Sequence, residues 1–311
     1  MIKNIFADII YYGNIISYKK TKASVNVELF TLLRRMVKLA EAAKNTKEKP
    51  KKIKRARPRI HLIDELRGIA IFCMIFYHAF YTVGVLFNIG WAMVLLKFFM
   101  PAEPYFAGLF ILISGVASNL SHSNLERGVK LLFIAFAVTI VTYFSLGKEY
   151  MISFGILHML AVCMMLYGVF NKYLKLVPSA LGIIFNAVLF IFTFNMQSGS
   201  VGFPFILNIK IPAEWYNTSF LFMFGLPDKN FVSSDYFPLL PWLFLFFAGT
   251  YIGRIGMKKK FPKFMYTKRV SFFAFLGRHS LIIYLVHQPV IYGICKGVEW
   301  IMSLFPNGSP K

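Results

Sequence analysis

Charge is scarce in this 311-residue sequence: 15% of its residues are Asp, Glu, Lys or Arg, and acidic residues number 13 against 35 basic ones. With so little charge, a 57% hydrophobic content and a mean hydropathy of +0.60 exceed what a soluble domain can bury and suit several membrane spans. Cysteine is scarce too. Cys73, Cys163 and Cys295 lie far apart in apolar runs without metal-ligand spacing, so they read as small buried hydrophobes and no metal is expected. No basic motif is interleaved with aromatics, so the net charge of +22 does not read as a nucleic-acid footprint. Nor does the N-terminus make a good secretory leader. "MIKNIFADIIYYGNIIS" is interrupted by Asp8, Tyr11, Tyr12 and Asn14, and no small-residue cleavage site follows.

Long apolar runs are what the sequence does have. Seven spans of the length needed to cross a bilayer are expected near 67–87, 104–120, 130–146, 151–170, 177–196, 237–255 and 280–304. The shorter runs at 91–100 and 214–225 suit interfacial or re-entrant placement. The fold class is therefore an all-α polytopic bundle. Before it, residues 1–57 form a separate arm, with an amphipathic helix in "VELFTLLRRMVKLAEAA" and a polybasic linker in "KNTKEKPKKIKRARPR". That linker serves as a positive-inside anchor or a site for anionic lipid head groups. The arm, the turn with Arg127 and Lys130, "NKYLK", and "RIGMKKKFPKFMYTKR" alternate so that all lie on one side, the cytoplasm. This places the N-terminus inside, the C-terminus outside, and the longest external loop at about 197–236.

Polar groups in such spans are costly and gather around cavities or partners. Those present are Asp64, Arg67, His78, Glu103, His158, Asp235, Arg278, His279 and His287. Arg67 and His78 are eleven residues apart, three helical turns plus about 20°, so they share a face about 16–17 Å apart along the axis. A guanidinium at the mouth can hold phosphate, and an imidazole deeper in can move a proton. Plainer readings stand beside these. Asp64 and Arg67 can form an interfacial ion pair, and His78 can be a packing residue. His158, read as mid-span, can bond a neighbouring helix. Asp235 can cap a helix start, Arg278 can snorkel to the interface, and Trp242 can belong to an aromatic belt. No two His or carboxylates within a span fall at i,i+3 or i,i+4, so no metal site is indicated.

"RIHLIDELRGIAIFCMIFYH" resembles the first-helix signature of integral-membrane acyltransferases, an Arg and a His at this spacing. Together with "FILISGVASNLS", "RGVKLL", "ISFGILHMLA", "DYFPLLPWLFLFFAGTYIG" and "LGRHSLIIYLVHQPV", the sequence resembles the bacterial branch of the heparan-α-glucosaminide N-acetyltransferase catalytic-domain family over roughly 59–293. The resemblance implies transfer of an acetyl group from cytosolic acetyl-CoA to a sugar across the membrane, in a bacterial plasma membrane. It implies His78 as central acid/base or acyl carrier, with Arg67 beside it and His158 in the catalytic chamber. Arg67, Arg127, Arg278 and His279 become candidates for the CoA phosphates, and Asp235, His287 and Trp242 for the acceptor side. The partners implied are membrane lipids and a carbohydrate or lipid-linked saccharide, with no nucleic acid; a homo-oligomer stays open.

One departure stands out. The lysosomal enzyme that names the family carries Asn where this chain has His78, and its reactive His lies in the loop after that helix. This chain has no His between His78 and His122. Chemistry like that of first-helix-His acyltransferases is therefore expected, on a cell-envelope glycan as readily as on heparan sulfate. Direct attack and a two-step acyl-histidine route both remain open. The competing reading is a proton-coupled transporter or flippase using the intramembrane His and Asp. It predicts internal repeats that the sequence does not show.

Overall fold

A computed structural model of the protein describes residues 59–121 and 123–304, leaving aside the side chain of Lys259. The arm expected over residues 1–57, with its amphipathic helix and polybasic linker, lies outside the described residues. Among the described residues, seven helices are long and apolar enough to cross a membrane.

Helix α1 (His61–Tyr81) runs on into a π-helical turn, Thr82–Leu86. Next come α2 (Gly90–Phe99) and α3 (Glu103–Ser118), joined by a 3-10 turn, Met100–Ala102, into one 29-residue span. The run at 91–100, expected to be a separate interfacial or re-entrant segment, is thus helical and continuous with the helix that follows. Pro101 and Pro104 sit at helix-start positions, where a missing N–H costs nothing, so the apolar run stays helical through both. Then follow α4 (Asn124–Leu146), α5 (Ile156–Leu174) and α6 (Ser179–Thr193). The loop before α7 (Leu239–Lys259) holds an unexpected antiparallel hairpin of β1 (Ser200–Phe203) and β2 (Leu207–Lys210), with Ser200 opposite Lys210. The chain ends in α8 (Ser271–Arg278) and α9 (Ser280–Ser303).

Lipid gives helices no hydrophobic reason to associate, so close packing must come from small residues. Two crossings show it. A Cβ on Gly68 of α1 would collide with the carbonyl of Phe273 in α8, and one on Gly277 of α8 with the carbonyl of Asp64 in α1. Glu65 adds a carboxylate to that crossing, accepting from the backbone N–H groups of Arg269 (2.7 Å) and Val270 (3.1 Å) just ahead of α8. In the second crossing, Gly115 of α3 lies against Phe246 and Gly249 of α7, and Gly249 against Leu112 and Gly115. The core follows from these contacts, with Ile71, Ile111, Met159 and Phe246 almost fully enclosed. By contrast, α4 turns Phe133, Phe136, Ile140 and Phe144 outward, as a lipid-facing helix does.

Helix α5 starts at Ile156, not near 151, because residues 151–154 are tied to the loop before α7. Ser234 N–H donates to Met151 O (3.2 Å), Phe237 N–H to Phe154 O (3.1 Å), and Ser153 Oγ to Val232 O (2.7 Å). Backbone groups used this way are unavailable to a helix. The same ties hold Asp235 in place.

Candidate active site between two cavities

Two cavities enter the bundle from opposite ends, as the helix termini around them show. At the end where α1, α4 and α9 begin, a cavity of about 370 Å³ is lined by Arg67, Arg127, Lys130, Ser114, Ser118 and Ser280, with apolar residues between. No carboxylate lines it. Lys130 is already paired with Glu126 at 2.7 Å. Asp64 does not pair with Arg67, as the i,i+3 spacing allowed; it accepts from Arg59 Nε at 2.6 Å. Arg67 therefore has no hydrogen-bond partner among the described residues, although the charge of Asp64 still acts on it.

At the other end, a cavity of about 210 Å³ is lined by His78, Glu103, Asp235, Tyr77, Tyr236 and Tyr284 among aromatic and aliphatic side chains. Phe110 and Tyr284 line both cavities. Arg67 and His78 thus occupy different chambers of one helix, and Tyr284 is part of what lies between them.

Asp235 is the best-supported group of the second chamber. Its Oδ2 accepts from Tyr284 Oη (2.7 Å) and from the Ile156 N–H (3.3 Å), the first residue of α5. It caps a helix as the sequence allowed, but α5, not the α7 that follows it. Burial pushes its carboxyl above the ordinary carboxylate range, and the two hydrogen bonds oppose that rise. Gly155 is required here: a Cβ would stand 2.5 Å from Asp235 Oδ2.

His78 reaches α9 through Gln288, whose Nε2 lies 3.3 Å from His78 Nδ1, while Thr82 Oγ1 donates to Gln288 Oε1 at 3.1 Å. The amide orientation sets the tautomer. Oxygen presented to an Nδ1–H leaves Nε2 a bare acceptor; nitrogen presented to Nδ1 puts the proton on Nε2. His287 packs against His78 with ring centroids 5.1 Å apart. Its Nδ1 is 2.6 Å from the Tyr284 carbonyl, which only accepts, so Nδ1 carries the proton. His287 Nε2 is then a bare acceptor, buried and without a partner among the described residues.

His287 packs on His78 without lining either chamber, and four further candidate site residues also stand outside both. His158 is in the first turn of α5, not mid-span; Nδ1 accepts from the Gly155 N–H (3.3 Å), and Nε2 lies 3.3 Å from Thr139 Oγ1 of α4, the neighbouring-helix bond the sequence allowed. Trp242 is buried against Phe190 and Phe237 rather than placed at a lipid interface. Arg278 is exposed, with Nε donating to Ala274 O (3.2 Å) of its own helix. His279 is exposed on Phe275, with Nδ1 3.0 Å from the Phe275 carbonyl. Conversely, the sequence assigns no role to Glu103 and does not mark Tyr77, Tyr284, Thr82 or Gln288, all of which stand in or beside the His78 chamber. Tyr284 lies three residues before His287, on the same helical face, which is the signal that could have found it.

Residues 59–289 match the family model described as heparan-alpha-glucosaminide N-acetyltransferase, catalytic. No curated protein and no solved structure matches the chain. The match spans well over half of the sequence, so the chain belongs to that catalytic-domain family, whose activity is acetyl transfer, here in a bundle of membrane-spanning helices.

Proposed function

We propose that this family member moves an acetyl group from cytosolic acetyl-CoA to a sugar or cell-envelope glycan on the far side of a bacterial plasma membrane. The observation that carries the reading is the pair of cavities meeting at Tyr284 and Phe110, one basic and free of carboxylates, the other holding His78, Glu103 and Asp235. The basic cavity is the donor side and faces the cytoplasm, in keeping with the positive-inside distribution of Lys and Arg. Its residues fit a polyanionic donor: Arg67 makes no hydrogen bond among the described residues, Arg127 is exposed at the rim, and no carboxylate lines the cavity, the nearby acids Asp64 and Glu126 being paired with Arg59 and Lys130.

Acetyl-CoA supplies the activated acyl group. Arg67 and Arg127 orient it by charge-assisted hydrogen bonds so that the thioester points along α1 toward His78. The acceptor lies in the second cavity. Its oxygen or nitrogen attacks the thioester carbonyl, its proton passes to His78 Nε2, and the sulfur leaves as a thiolate that takes up a proton. In the two-step variant, His78 Nε2 attacks first and the acceptor then displaces the imidazole. Both need Nε2 bare, which requires the Gln288 amide to turn over from the orientation it has here, so that its Oε1 accepts from His78 Nδ1–H and its Nε2 donates to Thr82 Oγ1. Tyr284, between the cavities, limits water passage from one side to the other.

The test is acetyl-CoA binding to purified protein, followed by CoA release. Arg67→Ala is expected to weaken binding. His78→Ala is expected to retain it and to abolish acceptor-dependent CoA release. Wild-type protein without saturable acetyl-CoA binding would sink the proposal.

A further inference from the structure

The antiparallel hairpin after α6 lines neither cavity, and its two faces differ in polarity. Paired residues of an antiparallel ladder point to the same side, and the sides alternate along each strand. The register pairs Val201 with Ile209 and Phe203 with Leu207, so these four residues share one face. Ser200, Gly202, Asn208 and Lys210 occupy the other. Leu207 and Ile209 are exposed, and in the turn Phe205 is 109% and Ile206 86% exposed.

The turn itself is unusual. A left-handed turn position ordinarily takes Gly or Asn, yet Phe205 holds it at a φ of 65°. A bulky ring thus sits in a strained conformation with its whole surface uncovered, the opposite of what a water-facing turn favours.

Two contacts fix where the hairpin lies. The Ile211 N–H donates to Gly199 O (2.9 Å), closing the base one residue beyond the membrane span Ser179–Ser198. Near the tip, the ring of Phe203 packs on that of Phe192, with centroids 5.5 Å apart. Phe192 lies within the span, about 9 Å before its end at the helical rise. The hairpin therefore folds back along α6 instead of projecting away from it. It joins a lipid-facing surface, since Leu181, Ile184, Phe185, Val188 and Ile191 of α6 are exposed at helical spacing. Open strand edges do not enter the hydrocarbon core, because their backbone groups need water or another partner. The depth open to the hairpin is the boundary between head groups and acyl chains.

We infer that this hairpin is an interfacial membrane anchor at the end of the bundle where α6 ends and α7 begins. Its apolar face and the Phe205–Ile206 turn rest against acyl chains, while Asn208 and Lys210 stay among head groups and water, where the long Lys210 side chain reaches phosphate. The anchor is independent of the reaction the two cavities carry out.

The experiment attaches a nitrobenzoxadiazole label to Phe205→Cys, Ile209→Cys or Asn208→Cys in full-length protein held in phosphatidylcholine nanodiscs. All carry Cys73→Ala and Cys295→Ala, and the parent without an added cysteine gives the background from buried Cys163. The three labelled positions are exposed, so no packed side chain is displaced. Quenching is read with a nitroxide on the lipid acyl chain and with aqueous iodide. Labels at 205 and 209 are expected to be quenched by the lipid nitroxide at least about threefold more than the label at 208, with the order reversed for iodide. Equal iodide quenching at 205 and 208 overturns the inference, because the tip then stands in water. Protection at 205 from both quenchers overturns it too, since a protein surface, such as a second copy of the chain, then covers the tip.

Discussion

Tyr284 Oη donates to Asp235 Oδ2 at 2.7 Å, joining α9 to the loop before α7 across 49 positions of sequence. Because Tyr284 lines both cavities, this one hydrogen bond holds the partition between them in place. Tyr284→Phe keeps the ring and removes the donor, leaving Asp235 with Ile156 N–H alone. The expected cost is about 1–3 kcal/mol, that of a buried acceptor losing a partner. Thermal unfolding in a fixed detergent reads it, and unchanged stability would show that the bond is not formed in solution.

Asp235 also makes stability depend on pH, with a sign opposite to that of a salt-bridged carboxylate. Burial raises its folded-state pKa above the unfolded value, so between the two the folded state binds more protons. Its contribution is fully present below the unfolded pKa and is lost as pH rises through the folded one. The melting temperature of wild-type protein should therefore fall relative to Asp235→Asn as pH rises from about 4 toward neutrality. Parallel curves would contradict this.

Gln288 and Thr82 are expected to act on chemistry through His78 rather than on folding. Thr82→Val deprives the amide of the hydroxyl that orients it, while Thr82→Ser retains that group. Acetyl transfer should fall roughly 10- to 100-fold in Thr82→Val and in Gln288→Leu, within the range of one mis-set general base, and recover in Thr82→Ser. Nitrogen chemical shifts of ¹⁵N-labelled histidine should show His78 changing tautomer in the impaired variants. An unmoved His78 signal alongside lost activity would exclude the tautomer role.

The arginines should separate by location. Arg67 lines the basic cavity, whereas exposed Arg278 bonds a carbonyl of its own helix. Arg67→Ala should weaken acetyl-CoA binding about 10- to 100-fold, the loss of a charge-assisted contact. Arg67→Lys should recover only part, for want of a planar fork. Arg278→Ala should bind acetyl-CoA as wild-type protein does; equal losses at both positions would argue against the basic cavity as donor site.

Helix crossings yield a contrast in stability. A Cβ at Gly249 would run into the carbonyl of Leu112, whereas at Gly293 nothing lies within 4 Å. Gly249→Ala should cost about 1–3 kcal/mol by overpacking, and Gly293→Ala should be neutral or slightly stabilising, since Ala is the better helix former. Their melting temperatures decide the matter.

Span number, helical class and the shared face of Arg67 and His78 were legible in the sequence, because the bilayer imposes length and hydropathy on each segment independently of its neighbours. The family was legible too, in motifs spread along 59–289. Segment ends were less so: Pro101 and Pro104 proved to be helix starts, and residues 151–155 left the helix to pair with a loop some 80 positions away. What only the tertiary structure decided was which polar groups meet. His158 and Asp235 look equally catalytic in a list of intramembrane polar residues, yet one is engaged with Gly155 and Thr139 outside both cavities and the other lines the His78 chamber. Tyr284, Gln288 and Thr82 carry no charge and so left no mark in hydropathy. The sequence by itself determined seven helices long and apolar enough to cross a membrane, with an arginine and a histidine on one face of the first. Division of that helix between two chambers of opposite charge required the packing of α3, α5, α7 and α9 around it, since cavities arise from distant side chains that no local pattern encodes.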